Sequence, residues 1–166
     1  MSTPTDKQVK VIKANYALQL KVGAGPLNER TVDDMQRVID KNDVDFGPLG
    51  LSILEKLQAA LDKVNDPSIT MSQMKEMLIR PVMELKANGA TFKYDLIGSL
   101  ANIMLQFLET ITVMDKDAIE IVQAHHDSLH MIIVRKINGT GGEAGKALIK
   151  ELKHACERYH HKKFAK

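Results

Sequence analysis

The stretch YDLIGSLANIMLQFLETIT, residues 94–112, decides the fold. Leu96, Ile97, Leu100, Ile103, Met104, Phe107, Leu108 and Ile111 recur at three- and four-residue intervals, the spacing of one face of an α-helix. The stripe is wide and must be buried. Gly98 and Ala101 offer a place where a neighbouring helix approaches closely. Strand-like alternation with turn chemistry is not sustained anywhere, and no repeat of fixed period occurs.

Working outward, the flanking segments carry their own boundaries. Thr70 and Gln73 form a capping box, with Ile69 and Met74 placed as a hydrophobic staple. A helix follows to about Ala87 and ends at Asn88-Gly89, and Pro81 inside it predicts a kink or a split near Arg80. On the other side, a helix over about 115–137 stops at Asn138-Gly139. Thr140 and Glu143 form a second capping box, opening a last helix through about Tyr159. Short links between long amphipathic helices favour antiparallel neighbours. The expected fold is therefore all-α, an antiparallel up-and-down bundle of these last four helices over residues 69–161.

Residues 1–65 read as an N-terminal helical extension or arm, or as part of one continuous domain. Thr3-Pro4-Thr5-Asp6 opens a helix to about Leu20. Asn28 caps a second through Ile39. Asp45-Phe46-Gly47-Pro48 starts a third, with Leu51, Leu54, Leu57, Leu61 and Val64 turned inward. The best internal boundary is Asn65-Asp66-Pro67-Ser68, where turn formers cluster.

Composition narrows the function classes. A chain of 166 residues with 44% hydrophobic and 27% charged residues suits a folded domain. No apolar run reaches the ~18 residues of a membrane span. The start lacks the basic and apolar stretches of a signal peptide, and Cys156 is the only cysteine, so a reducing cytoplasm is expected. A net charge of +2, 4% aromatics and no tryptophan argue against nucleic acid as a partner. The nine methionines fill core gaps or line an adaptable groove.

The departure from plain packing is His125-His126, set in the apolar helix over 115–137. At about 100° per residue, Ala118, Val122, Leu129 and Ile133 share a face. His125 and His126 stand on its two shoulders, His130 lies further round beside His126, and Asp127 points to solvent. Three readings stay open. The rings are boundary residues hydrogen-bonded across a helix interface. Alternatively, His126 or His125 accepts a phosphoryl group, with Asp127 setting the tautomer. Alternatively, His126 and His130 at i,i+4 hold a metal, for which no third ligand is identifiable. No cofactor is expected.

His126-Asp127 resembles the start of the H-[DE]-x-x-x-P motif of histidine-kinase dimerisation helices, with Met131 at the proline position. Ala124-His125 is similar to the start of the A-H-x-L-K-G run of histidine phosphotransfer domains, with Asp127, Ser128 and Leu129 in place of leucine, lysine and glycine. The stretch 81–142 also resembles helical modules attached to bacterial response regulators. These resemblances imply a bacterial two-component setting and name no activity.

Two other motifs mimic chemistry. Residues 139–146 suggest a phosphate loop, but Thr140 occupies the first glycine position and Ala147 the Ser/Thr position. An anion site at Gly141, Gly142 and Lys146 is the residual expectation. Residues 40–47 suggest a calcium loop but fail its spacing in either register. The tail is basic, and Cys156 and His160 share i,i+4 spacing. The expected function is a non-catalytic interaction or adaptor module of bacterial signal transduction, acting through the helices over 70–87 and 115–137. Its partner would be a receiver domain, a kinase or a second copy in a homodimer. The alternative is a phosphorelay protein with His126 or His125 as acceptor.

Overall fold

The computed structural model describes residues 29–40 and 45–164, which hold six α-helices and no strand. They are α1 (Glu29–Asp40), α2 (Phe46–Leu61), α3 (Met71–Thr91), α4 (Asp95–Thr110), α5 (Lys116–Val134) and α6 (Gly142–Phe164). None of them is long and apolar enough to cross a membrane. The fold is an all-α helical bundle, as the periodicities predict. The helix expected over residues 4–20 lies outside the described residues.

The chain divides into two compact units, Met1–Asp43 and Val44–Lys166. In the first, α1 matches the helix expected to run to Ile39, and its Val32 and Met35 are exposed. The second unit holds the other five helices. Residues 1–65 read as an arm or as part of one continuous domain, and within them α2 packs on α3 and α5. The cause is its inward face: Phe46, Ile53, Leu54, Leu57 and Leu61 are all buried. Leu51 and Val64 are only partly covered.

Each of α2 to α5 lies beside the next, and α5 returns to α2, closing a ring of four. The last helix, α6, lies over α4 and α5. Cross-links fix the directions. Lys75 Nζ, near the start of α3, donates to Glu109 O and Ile111 O at the end of α4 (2.9 and 2.8 Å). Lys136 Nζ, just past α5, meets Asp45 Oδ2 at the start of α2 (3.0 Å). Both pairs run antiparallel. The core joins Leu78, Val82 and Leu85 of α3 to Ile97, Leu100, Met104, Phe107 and Leu108 of α4.

The caps explain where the helices start. Asp45 accepts from Gly47 N–H (2.9 Å). Thr70 and Gln73 close the expected capping box. Asp115 Oδ1 accepts from Ala118 N–H (2.9 Å). The second expected box fails. The Gly145 N–H bonds Gly141 O at 3.0 Å, so α6 starts after Gly141 rather than Thr140. Gly139, Gly141 and Gly142 all have positive φ, which turns the chain there.

Two other boundaries are corrected. α3 runs through Asn88 and Gly89 to Thr91, with Pro81 inside one continuous helix. Its terminator is Lys93, in the left-handed region at φ 62°. Gly89 serves packing instead. A Cβ there would lie 3.2 Å from Gly98 N, Ile97 Cγ2 and Tyr94 O, so its absence lets α4 start against α3. Gly98, expected at a close approach, has open space where a Cβ would stand. Gly145 is the tightest position: a Cβ would fall 2.1 Å from Thr140 O.

These environments predict opposite outcomes for one substitution. Gly98→Ala should stabilise by about 0.5–1 kcal/mol, the intrinsic helix preference of alanine. Gly145→Ala should destabilise by at least about 1–3 kcal/mol through overpacking. Urea unfolding followed by circular dichroism checks both, and equal effects would contradict the assigned packing.

Candidate functional site

The inner face of α5 carries Ala118, Val122, Leu129, Ile132 and Ile133, and His125 belongs to it. His125 is 0% exposed, the one buried polar or charged side chain among the described residues. Its Nδ1 lies 2.8 Å from Ile121 O. A carbonyl only accepts, so Nδ1 carries the proton and donates. Nε2 then bears a lone pair, and it meets no hydrogen-bond partner among the described residues. Burial pushes the imidazole pKa below its ordinary 6.5, against a smaller opposing effect of the bond to Ile121. The ring is neutral, packed and unreachable. His125 is thereby removed as a phosphoryl acceptor in this arrangement, because neither nitrogen is open to a second protein.

His126 sits differently. Its side chain is 12% exposed, and Nδ1 lies 3.1 Å from Asp127 Oδ1. A carboxylate accepts, so this contact calls for Nδ1–H as the donor, which in a neutral ring places the lone pair on Nε2. Gln123 ties the group together. Its Nε2 donates to Asp127 Oδ1 at 2.9 Å and reaches Gln58 Oε1 of α2 at 3.4 Å. Desolvation raises the Asp127 pKa, but the bonds from His126 and Gln123 outweigh it and hold the carboxyl below its ordinary value. His130 is exposed, its ring nearly parallel to that of His126 at 16° and 6.4 Å. The structure therefore gathers His126, His130 and Asp127 with Gln123 and Gln58. Neither glutamine stands out in the sequence as a site residue. The i,i+3 and i,i+4 spacing of Gln123 from His126 and Asp127 was the available signal.

Among the described residues no group of three or more His, Cys, Asp or Glu is arranged to hold a metal. Cys156 is buried and its thiol is pushed up to about 11 by desolvation, which makes it a poor nucleophile. His160, its i,i+4 neighbour, stands 3.1 Å from Thr110 Oγ1 and edge-on to Phe107.

The glycine loop is built for packing. A Cβ on Gly141 would meet Leu96 Cδ2 at 2.7 Å, and Lys146 Nζ is paired with Glu143 at 2.7 Å. Gly142 has open space at its Cβ position. Gly139 exchanges backbone bonds with the α3–α4 corner, its N–H to Lys93 O (2.7 Å) and its O from Leu96 N–H (2.8 Å). That locks two helix corners together.

The basic tail also acts locally. Lys162 and Lys163 pair with Asp117 and Asp115 at the start of α5, both at 2.5 Å. The bond from Lys163 holds the Asp115 carboxyl below its ordinary range. Tyr159 lies edge-on to Phe107 with ring centres 5.3 Å apart. The end of α6 is thus fastened to α4 and α5. No family model matches the sequence, and no curated protein or solved structure matches it either.

The orphaned His125 Nε2 generates a stability prediction. An unpaired buried polar atom costs about 1–3 kcal/mol. His125→Leu should be as stable as the parent at pH 7.5, or more so. Because the folded pKa is depressed, the parent's stability is complete above 6.5 and lost as pH falls below it. The Leu variant should lack that loss in urea titrations at pH 7.5 and 5. A variant clearly weaker at both values would mean that Nε2 is satisfied.

Proposed function

We propose that the chain is a non-catalytic helical protein-interaction module, an adaptor of bacterial signal transduction working in the cytoplasm. One observation carries the interaction reading. Met131 and Val134, one turn apart on α5, are 52% and 56% exposed. Residues three apart on a helix are neighbours, so two large apolar groups stand side by side in water. Leu49, exposed on α2, precedes Gly50, and a Cβ on Gly50 would lie 2.8 Å from Ile133 Cδ1, beside Val134 in sequence. Met83 is a further exposed methionine, on α3. The signalling setting rests on the resemblance of His126-Asp127 and residues 81–142 to two-component modules.

A second reading has its own support. The Asp127 carboxylate at 3.1 Å from His126 Nδ1 leaves Nε2 as the nucleophilic lone pair. On this reading a receiver's aspartyl phosphate gives its phosphoryl group to His126 Nε2. The acyl-phosphate P–O bond breaks, a P–N bond forms, and the receiver's carboxylate leaves.

Two experiments test these readings. The purified chain used as bait should retain a protein partner, and Met131→Glu with Val134→Glu should abolish retention while helix content stays unchanged. Capture indifferent to both substitutions contradicts the interaction reading. Incubation with a phosphorus-labelled receiver should, on the second reading, give an acid-labile label that is absent in His126→Ala. Transfer to no chain from any receiver of the source organism removes it.

A further inference from the structure

A shallow groove runs between α5 and α6, and its two edges carry opposite charge. Asp117 and Glu120 line it on α5; Arg158 and Lys162 line it on α6. Its floor is small and apolar, from Ile121 and Ala124 on one side to Ala155 and the Tyr159 ring on the other. The Asp117–Lys162 pair spans one end at 2.5 Å, which sets the two helices level with each other. One turn inward along each helix come Glu120 and Arg158. Both are exposed, and Glu120 is held by Lys116 only at 3.8 Å. By the helical step of about 100°, Glu120, Ala124 and the exposed Met131 lie along one ridge of α5.

We infer that this groove is the contact surface for a second copy of the same chain. This rests on the interaction reading above and names the partner for the α5–α6 part of the surface. The argument is charge complementarity under symmetry. A self-complementary contact places the same patch on both copies about a two-fold axis. An axis running along the groove turns each acidic edge onto the other copy's basic edge and keeps the levels matched. Glu120 of one copy then faces Arg158 of the other, twice. An axis running across the groove would set like charge on like. The floor of Ile121, Ala124, Ala155 and the Tyr159 ring supplies the apolar centre, and the alanines let the helices come close. A foreign partner would need no such balance of signs at equal height.

The test is analytical ultracentrifugation of the full chain with charge reversals. The parent should dimerise, with weaker association at high salt. Glu120→Lys alone and Arg158→Glu alone should each weaken self-association at least about tenfold, because like charges then meet. Combining both reversals in one chain restores opposite signs at both contacts and should restore the dimer. Mixing the two single variants should give a heterodimer, which needs no doubly substituted chain to fold. A parent that stays monomeric at its highest soluble concentration overturns the inference, as does a dimer indifferent to either reversal. A groove that instead takes a helix of another protein would show as a monomeric parent and counts against it. In that monomeric case, capture of a partner lost in the Met131 and Val134 variant still supports the wider interaction reading, so the two failures are distinguishable.

Discussion

The rest of the structure depends on α5 lying flat against three other helices. Its inner face meets α2, α4 and α6, and the six side chains it buries include one imidazole. Because that face is full, the remaining α5 residues are pushed to its edges. Gln123 and His126 fall toward α2, Ile121 and Asp117 toward α6, and Met131 and Val134 outward. Of the adjacent pair, His125 is buried and His126 stays near the surface. A neutral ring is the form that such a site accepts, since an imidazolium there would lack both water and a counter-charge.

The ends of the bundle are held by a few polar ties. Asp45 caps α2 and also takes Lys136 from the end of α5. Asp115 caps α5 and also takes Lys163 from the end of α6. In each case one carboxylate closes a helix start and holds the end of an antiparallel neighbour. Exposed ion pairs alone contribute little. Joined to a cap, they fix register where the apolar stripes alone would tolerate a slide.

Much of this was legible in the sequence. The stripe from Leu96 to Ile111 is buried along almost all its length, with Ile103 partly covered. The Thr70–Gln73 box and the Asp45 start sit where the residue types place them, because caps are local. What failed depended on neighbours. Asn88-Gly89 reads as a stop, but α4 packs on that glycine and the helix continues to a left-handed lysine. Gly98 and Gly89 look alike in sequence, and only the neighbouring helix tells them apart. At the candidate site, the helical step put His125 and His126 on opposite shoulders of the core face. It could not say which shoulder a neighbouring helix covers. The charged edges of the α5–α6 groove were invisible for the same reason: Asp117 and Lys162 are 45 residues apart.

The central claim is that α5 seals a neutral, Nδ1-protonated His125 inside the bundle while His126 stays at its edge. Nitrogen-15 NMR of the imidazoles measures this directly, because the two ring nitrogens report tautomer and charge separately. The structure predicts that His125 shows the Nδ1–H form and is still neutral below its ordinary 6.5 as the pH is lowered. A His125 ring that gains its second proton near that value, or that carries its single proton on Nε2, would contradict the account.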